Sequence, residues 1–339
     1  QTLQTHPPEN GKCEMSGLLV IGAITGEMRD RLTGSLEIHD ADRIDDMTAF
    51  LAQDGAALHY ALTDGHYGVP RDWMDAMPNL KLISNYGVGY DAIDVDLSVS
   101  RRILVTHTPE VLNDEVATTA LMLMLAGFRN LLASDAHVRS GGWSRTGHMA
   151  LSRSADNRRV GILGLGRIGL ALAKKLEPFH AEISYHNRNP RDVPYRHFAD
   201  LTEMASESEV LFVVTPGGAD TRSLVSREVI EALGPEGMLV NVSRGSVVEE
   251  EALVAALEDG RLGAAGLDVF EDEPNVPEAL FSMKNVVLTP HIGSATVETR
   301  RAMGNLVIDN LLQHLSDGRV LSPVPECREF ATVAAAFSG

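Results

Sequence analysis

"RVGILGLGRIGLALAKKL", residues 159–176, decides how this chain is read. A short apolar run over 159–163 has the length and character of a buried strand. It leads into Gly164, Gly166 and Gly169 at GxGxxG spacing and continues as a stretch of helix formers. The first glycine allows a tight turn, the second lets backbone approach a pyrophosphate, and the third lets helix and strand pack closely. The helix start then offers unpaired N–H groups and the positive end of its dipole to an anion. Thirty glycines make chance matches common, so the flanking strand and helix carry this assignment, not the glycines alone.

Working outward, five more apolar runs follow the first: 181–187, 210–215, 237–243, 263–269 and 285–291, with helical stretches between them. Six such strands predict a doubly wound parallel sheet. Before the fingerprint, candidate strands at 17–23, 57–63, 80–84 and 102–107 alternate with polar or amphipathic segments, and "LTDGHYGVP" and "NYGVGYDAID" follow two of them as turns. That alternation predicts βαβ units and a second, mostly parallel sheet. Helical stretches at 114–132 and 295–316 bracket the later series, which reads as an insertion into the first domain. The expected organisation is a disordered lead over 1–16, a substrate domain from 17–112 and 295–339, and a dinucleotide-binding domain over 113–294.

Composition agrees with two α/β domains. The 339 residues exceed one small core, and 44% hydrophobic with 22% charged residues is an ordinary globular balance. A net charge of −18 argues against nucleic acid or an anionic membrane surface as partner. The apolar run 116–128 contains Thr118 and Thr119 and is short of a span, so it predicts a buried helix. The segment 17–24 lacks the basic flank and cleavage site of a secretory signal and reads as a first strand. Cys13 and Cys327 form neither a disulfide framework nor a CxxC site, which fits a reducing, cytoplasmic setting. No metal site is expected from the histidine spacing.

The residues after the second strand of the later series bear on the choice of dinucleotide. An NAD site commonly places a carboxylate there for the ribose 2′-hydroxyl. This chain has Tyr185, His186, Asn187, Arg188 and Asn189, with Arg191 close behind and no carboxylate before Asp192. Amides and a cation suit a 2′-phosphate, so Asn187 and Arg188 are candidate contacts and NADPH is expected over NADH.

Three further residues are not required by a cofactor fold. Arg244 follows the fourth strand in "NVSRGSVV", Glu273 ends "LDVFEDEP", and His291 sits in "TPHIGSAT" after the sixth. All lie near the carboxyl ends of strands, where open parallel sheets hold ligands. Reduction of a 2-oxo acid needs a hydride donor, a cation to bind and polarise the substrate, and a proton donor for the developing alkoxide. Imidazole suits the last role because it titrates near neutrality. His291 is therefore the candidate acid, Glu273 its partner and Arg244 the clamp.

The ordered set "VGILGLGRIG", "NVSRG", "GLDVFEDEP" and "TPHIGSAT" resembles the D-isomer-specific 2-hydroxyacid dehydrogenases over essentially 17–325. "RSGGW", "GRIGLALAKK", "EDEPNVPEALF" and "VETRRAM" are most similar to the NADPH-dependent hydroxypyruvate/glyoxylate reductases within that family. The resemblance implies a Rossmann-type cofactor domain inserted into a flavodoxin-like substrate domain, with Arg244, Glu273 and His291 as the catalytic set. It implies that the backbone N–H groups of Val88 and Gly89 hold the substrate carboxylate and that Gly166, Arg167 and Ile168 contact the pyrophosphate. It places Pro216, Val242, Asp268 and Gly293 along the nicotinamide, and it implies a homodimer through the cofactor domain. Trp143 occupies the place of a tryptophan that in some relatives reaches the neighbour, in surroundings that depart from theirs. The expected activity is NADPH-dependent reduction of glyoxylate or hydroxypyruvate. The alternatives are a dehydrogenase for lactate or 2-ketogluconate, and a nicotinamide-sensing, corepressor-like interaction protein.

Overall fold

The computed structural model describes residues 15–334. Of the lead expected over 1–16, residues 1–14 fall outside the described residues, as does Cys13. The chain divides into two compact units, one running to Thr108 and resuming at Ala302, the other Pro109–Arg301.

The first unit is built on five strands: β1 (Gly17–Val20), β2 (Glu37–Asp40), β3 (Leu58–Thr63), β4 (Leu82–Asn85) and β5 (Leu104–Thr106). They pair in parallel in the order β2-β1-β3-β4-β5, the flavodoxin-like arrangement. β1, β4 and β5 are buried at every position, so their sequences show no polar–apolar alternation. β2 was not anticipated, because "EIHD" at the sheet edge is half-exposed and polar and carries no apolar signal. The last helix, Val297–Asp317, brings Val307, Ile308 and Leu311 into this core, and the Ser84 hydroxyl donates to the Val307 carbonyl at 3.1 Å.

The second unit contains β6 (Arg159–Leu163), β7 (Glu182–His186), β8 (Arg196–His197), β9 (Val210–Val213), β10 (Met238–Asn241), β11 (Ala264–Leu267) and β12 (Val286–Leu288). All pair in parallel, in the order β12-β11-β10-β9-β6-β7-β8. Six strands were expected and seven are present. The addition, β8, has two residues at an edge, too short for any periodicity to show. Strand order reverses between β6 and β9, the switch point at which doubly wound sheets take their ligand.

The helix Asn113–Phe128 forms over the expected apolar run. It buries Val116, Ala117, Ala120, Leu123, Met124 and Phe128 and packs against the helix Arg167–Leu176 and the sheet. The approach is close enough that a Cβ on Gly266 would lie 2.9 Å from the Leu123 Cβ. Among the described residues no single helix is long and apolar enough to cross a membrane.

Candidate active site

The glycine turn follows β6 at the switch point. Gly164 has φ +98°, in the region that L side chains avoid, and a Cβ there would sit 2.7 Å from the Thr215 backbone beyond β9. A Cβ on Gly169 would meet the Gly164 carbonyl oxygen at 2.4 Å, so helix and turn interlock. Gly166 differs from both: a Cβ there would meet nothing within 4 Å. It precedes the ten-residue helix Arg167–Leu176, whose first N–H groups lack intrahelical acceptors. Gly166 and Arg167 are exposed and Ile168 is half-buried. Open space before a helix N-terminus fits a dinucleotide pyrophosphate, so these residues suit the group the fingerprint implies.

At the end of β7 the side chains divide into two groups. The Asn187 Oδ1 accepts from the Leu165 N–H at 2.7 Å and so shapes the glycine turn itself. The Arg191 guanidinium donates to the Leu165 carbonyl, and its backbone N–H donates to the Tyr185 hydroxyl at 2.7 Å. Arg188 instead projects outward, its side chain 89% exposed, with the Asp220 carboxylate at 3.6 Å. Pro216 is exposed, and Val242 is buried just beyond β10.

Arg244, Glu273 and His291 issue from the ends of three neighbouring strands, β10, β11 and β12. Buried Asn241 organises the first of these loops: its Nδ2 donates to the Arg244 carbonyl at 2.9 Å, and its Oδ1 accepts from the Ser243 N–H at 3.0 Å. The Arg244 guanidinium donates to the Ser243 carbonyl at 2.8 Å. A Cβ on Gly245 would overlap the Phe270 carbonyl carbon at 1.9 Å, so only glycine lets the Arg244 loop lie against the segment leading to Glu273.

Glu273 accepts from the Phe270 N–H through Oε1 at 3.1 Å, and its Oε2 lies 2.7 Å from the His291 Nδ1. The carboxylate is largely buried, 19% exposed, while the imidazole is 44% exposed. An ionised carboxylate only accepts, so Nδ1 carries the hydrogen and Nε2 is the nitrogen left for chemistry. His291 has φ +52°, and its N–H donates to the Asp268 carbonyl at 2.8 Å.

Asp268, 1% exposed, turns its carboxylate onto the same loop. It accepts from the Thr289 hydroxyl at 2.6 Å and from the N–H groups of Ile292 and Gly293, each at 2.8 Å. Burial pushes its pKa above the ordinary carboxylate value, against the lowering effect of those donors. Asp268 thus ties Thr289 on one side of His291 and the Ile292 and Gly293 backbone on the other. Asn241 and Thr289 were not picked out from the sequence. A polar residue at the carboxyl end of an otherwise apolar strand was the available signal for Asn241.

In the first unit, the segment carrying Val88 and Gly89 follows β4, whose last residue, Asn85, is fully buried. The Asn85 Nδ2 donates to the carbonyls of Gly87 at 3.0 Å and Gly89 at 2.9 Å.

The family model for the D-isomer specific 2-hydroxyacid dehydrogenase NAD binding domain matches residues 121–293. Hydroxyphenylpyruvate reductase of Plectranthus scutellarioides is 44% identical over 276 residues, covering 81% of this chain and 88% of its own. The 2-ketogluconate reductase of Gluconobacter oxydans is 41% identical over 308 residues, covering 91% and 98%. Among solved structures, an NADPH-dependent glyoxylate/hydroxypyruvate reductase from Sinorhizobium meliloti, in complex with NADP and malonate, is 45% identical with a TM-score of 0.88. That match covers 94% of this chain and 99% of the neighbour.

Proposed function

This chain belongs to the D-isomer-specific 2-hydroxyacid dehydrogenase family and is an NAD(P)-dependent oxidoreductase; from that premise we propose that it uses NADPH to reduce glyoxylate or hydroxypyruvate to the corresponding 2-hydroxy acid, the D isomer where the product is chiral. The single observation that carries the chemistry is the 2.7 Å contact between the His291 Nδ1 and the Glu273 carboxylate at the carboxyl edge of the sheet. NADPH, when bound, supplies the hydride. Its pyrophosphate is assigned to Gly166, Arg167 and Ile168, in the cofactor-binding turn that Gly164 and Gly169 shape, and its 2′-phosphate to exposed Arg188. Asn187, bonded to Leu165, shapes that turn. Pro216, Val242, Asp268 and Gly293 are assigned to the nicotinamide side.

Arg244 binds the oxo acid and polarises its carbonyl. His291 delivers a proton from Nε2 to the carbonyl oxygen, and Glu273 holds the ring and balances the charge it carries before transfer. The backbone N–H groups of Val88 and Gly89 take the substrate carboxylate. Unphosphorylated substrates are favoured, since Arg71, one of two Lys or Arg residues between 47 and 90, is already paired with Asp94 at 2.7 Å. The NADPH-dependent reductase at 45% identity and the absence of a carboxylate over 185–191 support the cofactor choice.

A homodimer is supported by exposed apolar side chains within 131–151: Leu131, Leu132, Val138, Trp143 and Leu151 are each more than half exposed. A cytoplasmic setting rests on the two-cysteine composition. The likeness to the Gluconobacter protein favours 2-ketogluconate as a second substrate reading. A panel of 2-oxo acids with NADPH, followed by loss of reduced nicotinamide, tests the proposal. Turnover of glyoxylate or hydroxypyruvate is expected. Turnover of 2-ketogluconate alone would favour the second reading, and no turnover of any member would favour a binding protein.

A further inference from the structure

We propose that His107, together with Asn85, is a positioning residue that sets the peptide planes of Gly87–Gly89 and so aims the Val88 and Gly89 N–H groups at the substrate carboxylate. This rests on the assignment of that carboxylate to the two N–H groups.

Peptide geometry constrains where these N–H groups point. Among the described residues Glu273–Pro274 is the cis bond, so the peptides of this loop are trans and each carbonyl points opposite to the N–H of the next residue. The Gly87 carbonyl is drawn inward by the Asn85 Nδ2 at 3.0 Å and the Thr108 N–H at 2.9 Å, which turns the Val88 N–H the other way. The Val88 carbonyl lies 3.1 Å from the His107 Nδ1. A carbonyl oxygen has no proton to give, so Nδ1–H is the donor, and the Gly89 N–H faces away from the imidazole. Asn85 also binds the Gly89 carbonyl at 2.9 Å, which fixes the far end of the loop.

His107 is itself held from several sides. Its backbone N–H donates to the Ser322 carbonyl at 3.1 Å, and the Ser322 hydroxyl donates to the His107 carbonyl at 2.7 Å. Asn310, fully buried in the last helix, binds the Ser322 hydroxyl through Nδ2 at 2.9 Å and accepts from the Leu321 N–H at 2.9 Å. Tyr90 sets its ring edge-on to the imidazole at 5.5 Å and donates its hydroxyl to the Glu326 carboxylate at 3.2 Å. Burial and the Glu326 charge push that hydroxyl up to about 12, so it stays a donor at neutral pH. The returning segment 320–327 therefore braces the imidazole, and the imidazole orients the loop.

The test is steady-state kinetics with glyoxylate, with NADPH affinity and the thermal midpoint measured on each variant. His107→Phe keeps a ring but removes the donor, which misaligns a charge-assisted contact worth roughly ten- to a hundredfold in affinity. It is expected to raise KM at least about tenfold, with kcat within about threefold and NADPH affinity unchanged, the pattern of lost uniform binding. His107→Asn, whose Nδ2 can donate to the same carbonyl, is expected to bring KM back to within about threefold of the unmodified protein. If His107→Phe does not fold, His107→Leu takes its place. An unchanged KM in the apolar variant, or a His107→Asn KM no better than that of His107→Phe, would overturn the proposal. Gly89→Pro, which removes the N–H itself, separates the two levels. If it raises KM while His107→Phe does not, the positioning role is wrong and the carboxylate assignment stands. If neither moves KM, the assignment fails and takes the proposal with it.

Discussion

Replacing Asp268 should loosen the segment that holds the acid while leaving Arg244, Glu273 and His291 chemically unchanged. The Asp268 carboxylate satisfies two backbone N–H groups and one hydroxyl in a position 1% exposed. Asp268→Ala leaves Ile292 and Gly293 without acceptors, while the Thr289 hydroxyl retains the Leu267 carbonyl at 3.5 Å. Two unsatisfied donors, Gly293 buried and Ile292 part-buried, at about 1–3 kcal/mol each give a gross cost of at most about 6 kcal/mol. Removing a carboxylate that burial penalises returns part of this, so the expected net loss is about 2–4 kcal/mol. Asp268→Asn keeps the volume and one accepting oxygen but turns an NH2 group towards the remaining donors, for an expected loss of about 1–3 kcal/mol. The 289–293 segment also fixes His291 at a left-handed φ of +52°. A displacement of about 1 Å at a catalytic group costs on the order of a hundredfold, so kcat in Asp268→Asn should fall about ten- to a hundredfold. Urea unfolding and kcat with glyoxylate measure both effects. Stability within about 0.5 kcal/mol and kcat within about twofold of the unmodified protein would refute the bracing role, since ordinary surface substitutions stay inside that range.

Four other substitutions have expected outcomes. His291→Asn should lower kcat by about 10²–10⁴ with NADPH binding nearly intact, measured by turnover and cofactor titration. Arg188→Ala should reduce the NADPH-to-NADH ratio of kcat/KM by about tenfold or more, and Asp220→Asn, which removes the carboxylate 3.6 Å from that guanidinium, should raise it. Glu209 has its pKa lowered even though burial opposes the shift: the Arg159 N–H at 3.2 Å and the Arg158 guanidinium at 2.7 Å outweigh burial. A lowered folded-state pKa contributes stability above the unfolded value of about 4.3, and that contribution is lost as pH falls through the folded value. Glu209→Gln should therefore cost about 1–2 kcal/mol at neutral pH in urea unfolding, with the difference closing in acid.

The fold was legible where burial dictates composition. β6 and β9–β12 and the helix Asn113–Phe128 are apolar because both faces, or most of one, are covered, and the glycine fingerprint announces its own backbone demands. β2 and β8 escaped because edge strands are half-solvated and can be polar: "EIHD" and Arg196–His197 contain nothing that distinguishes them from loop. Within the site, the Glu273–His291 pairing could be anticipated from strand-end placement. The roles of Asn241 and Thr289 could not, because each acts through a hydrogen bond to a loop whose path is fixed only after the strands are in register. The same holds for His107, whose contact with Val88 joins residues 19 positions apart across two strand ends. Arg188 and Arg191 look equivalent in sequence, yet the structure ties Arg191 to Leu165 and leaves Arg188 exposed.

Hydride-transfer reduction to the D product is tested most directly by chiral chromatography of the product formed from hydroxypyruvate and NADPH by the unmodified protein. Family membership predicts D-glycerate, formed in step with oxidation of NADPH. L-glycerate, or no glycerate with NADPH left intact, would contradict the account.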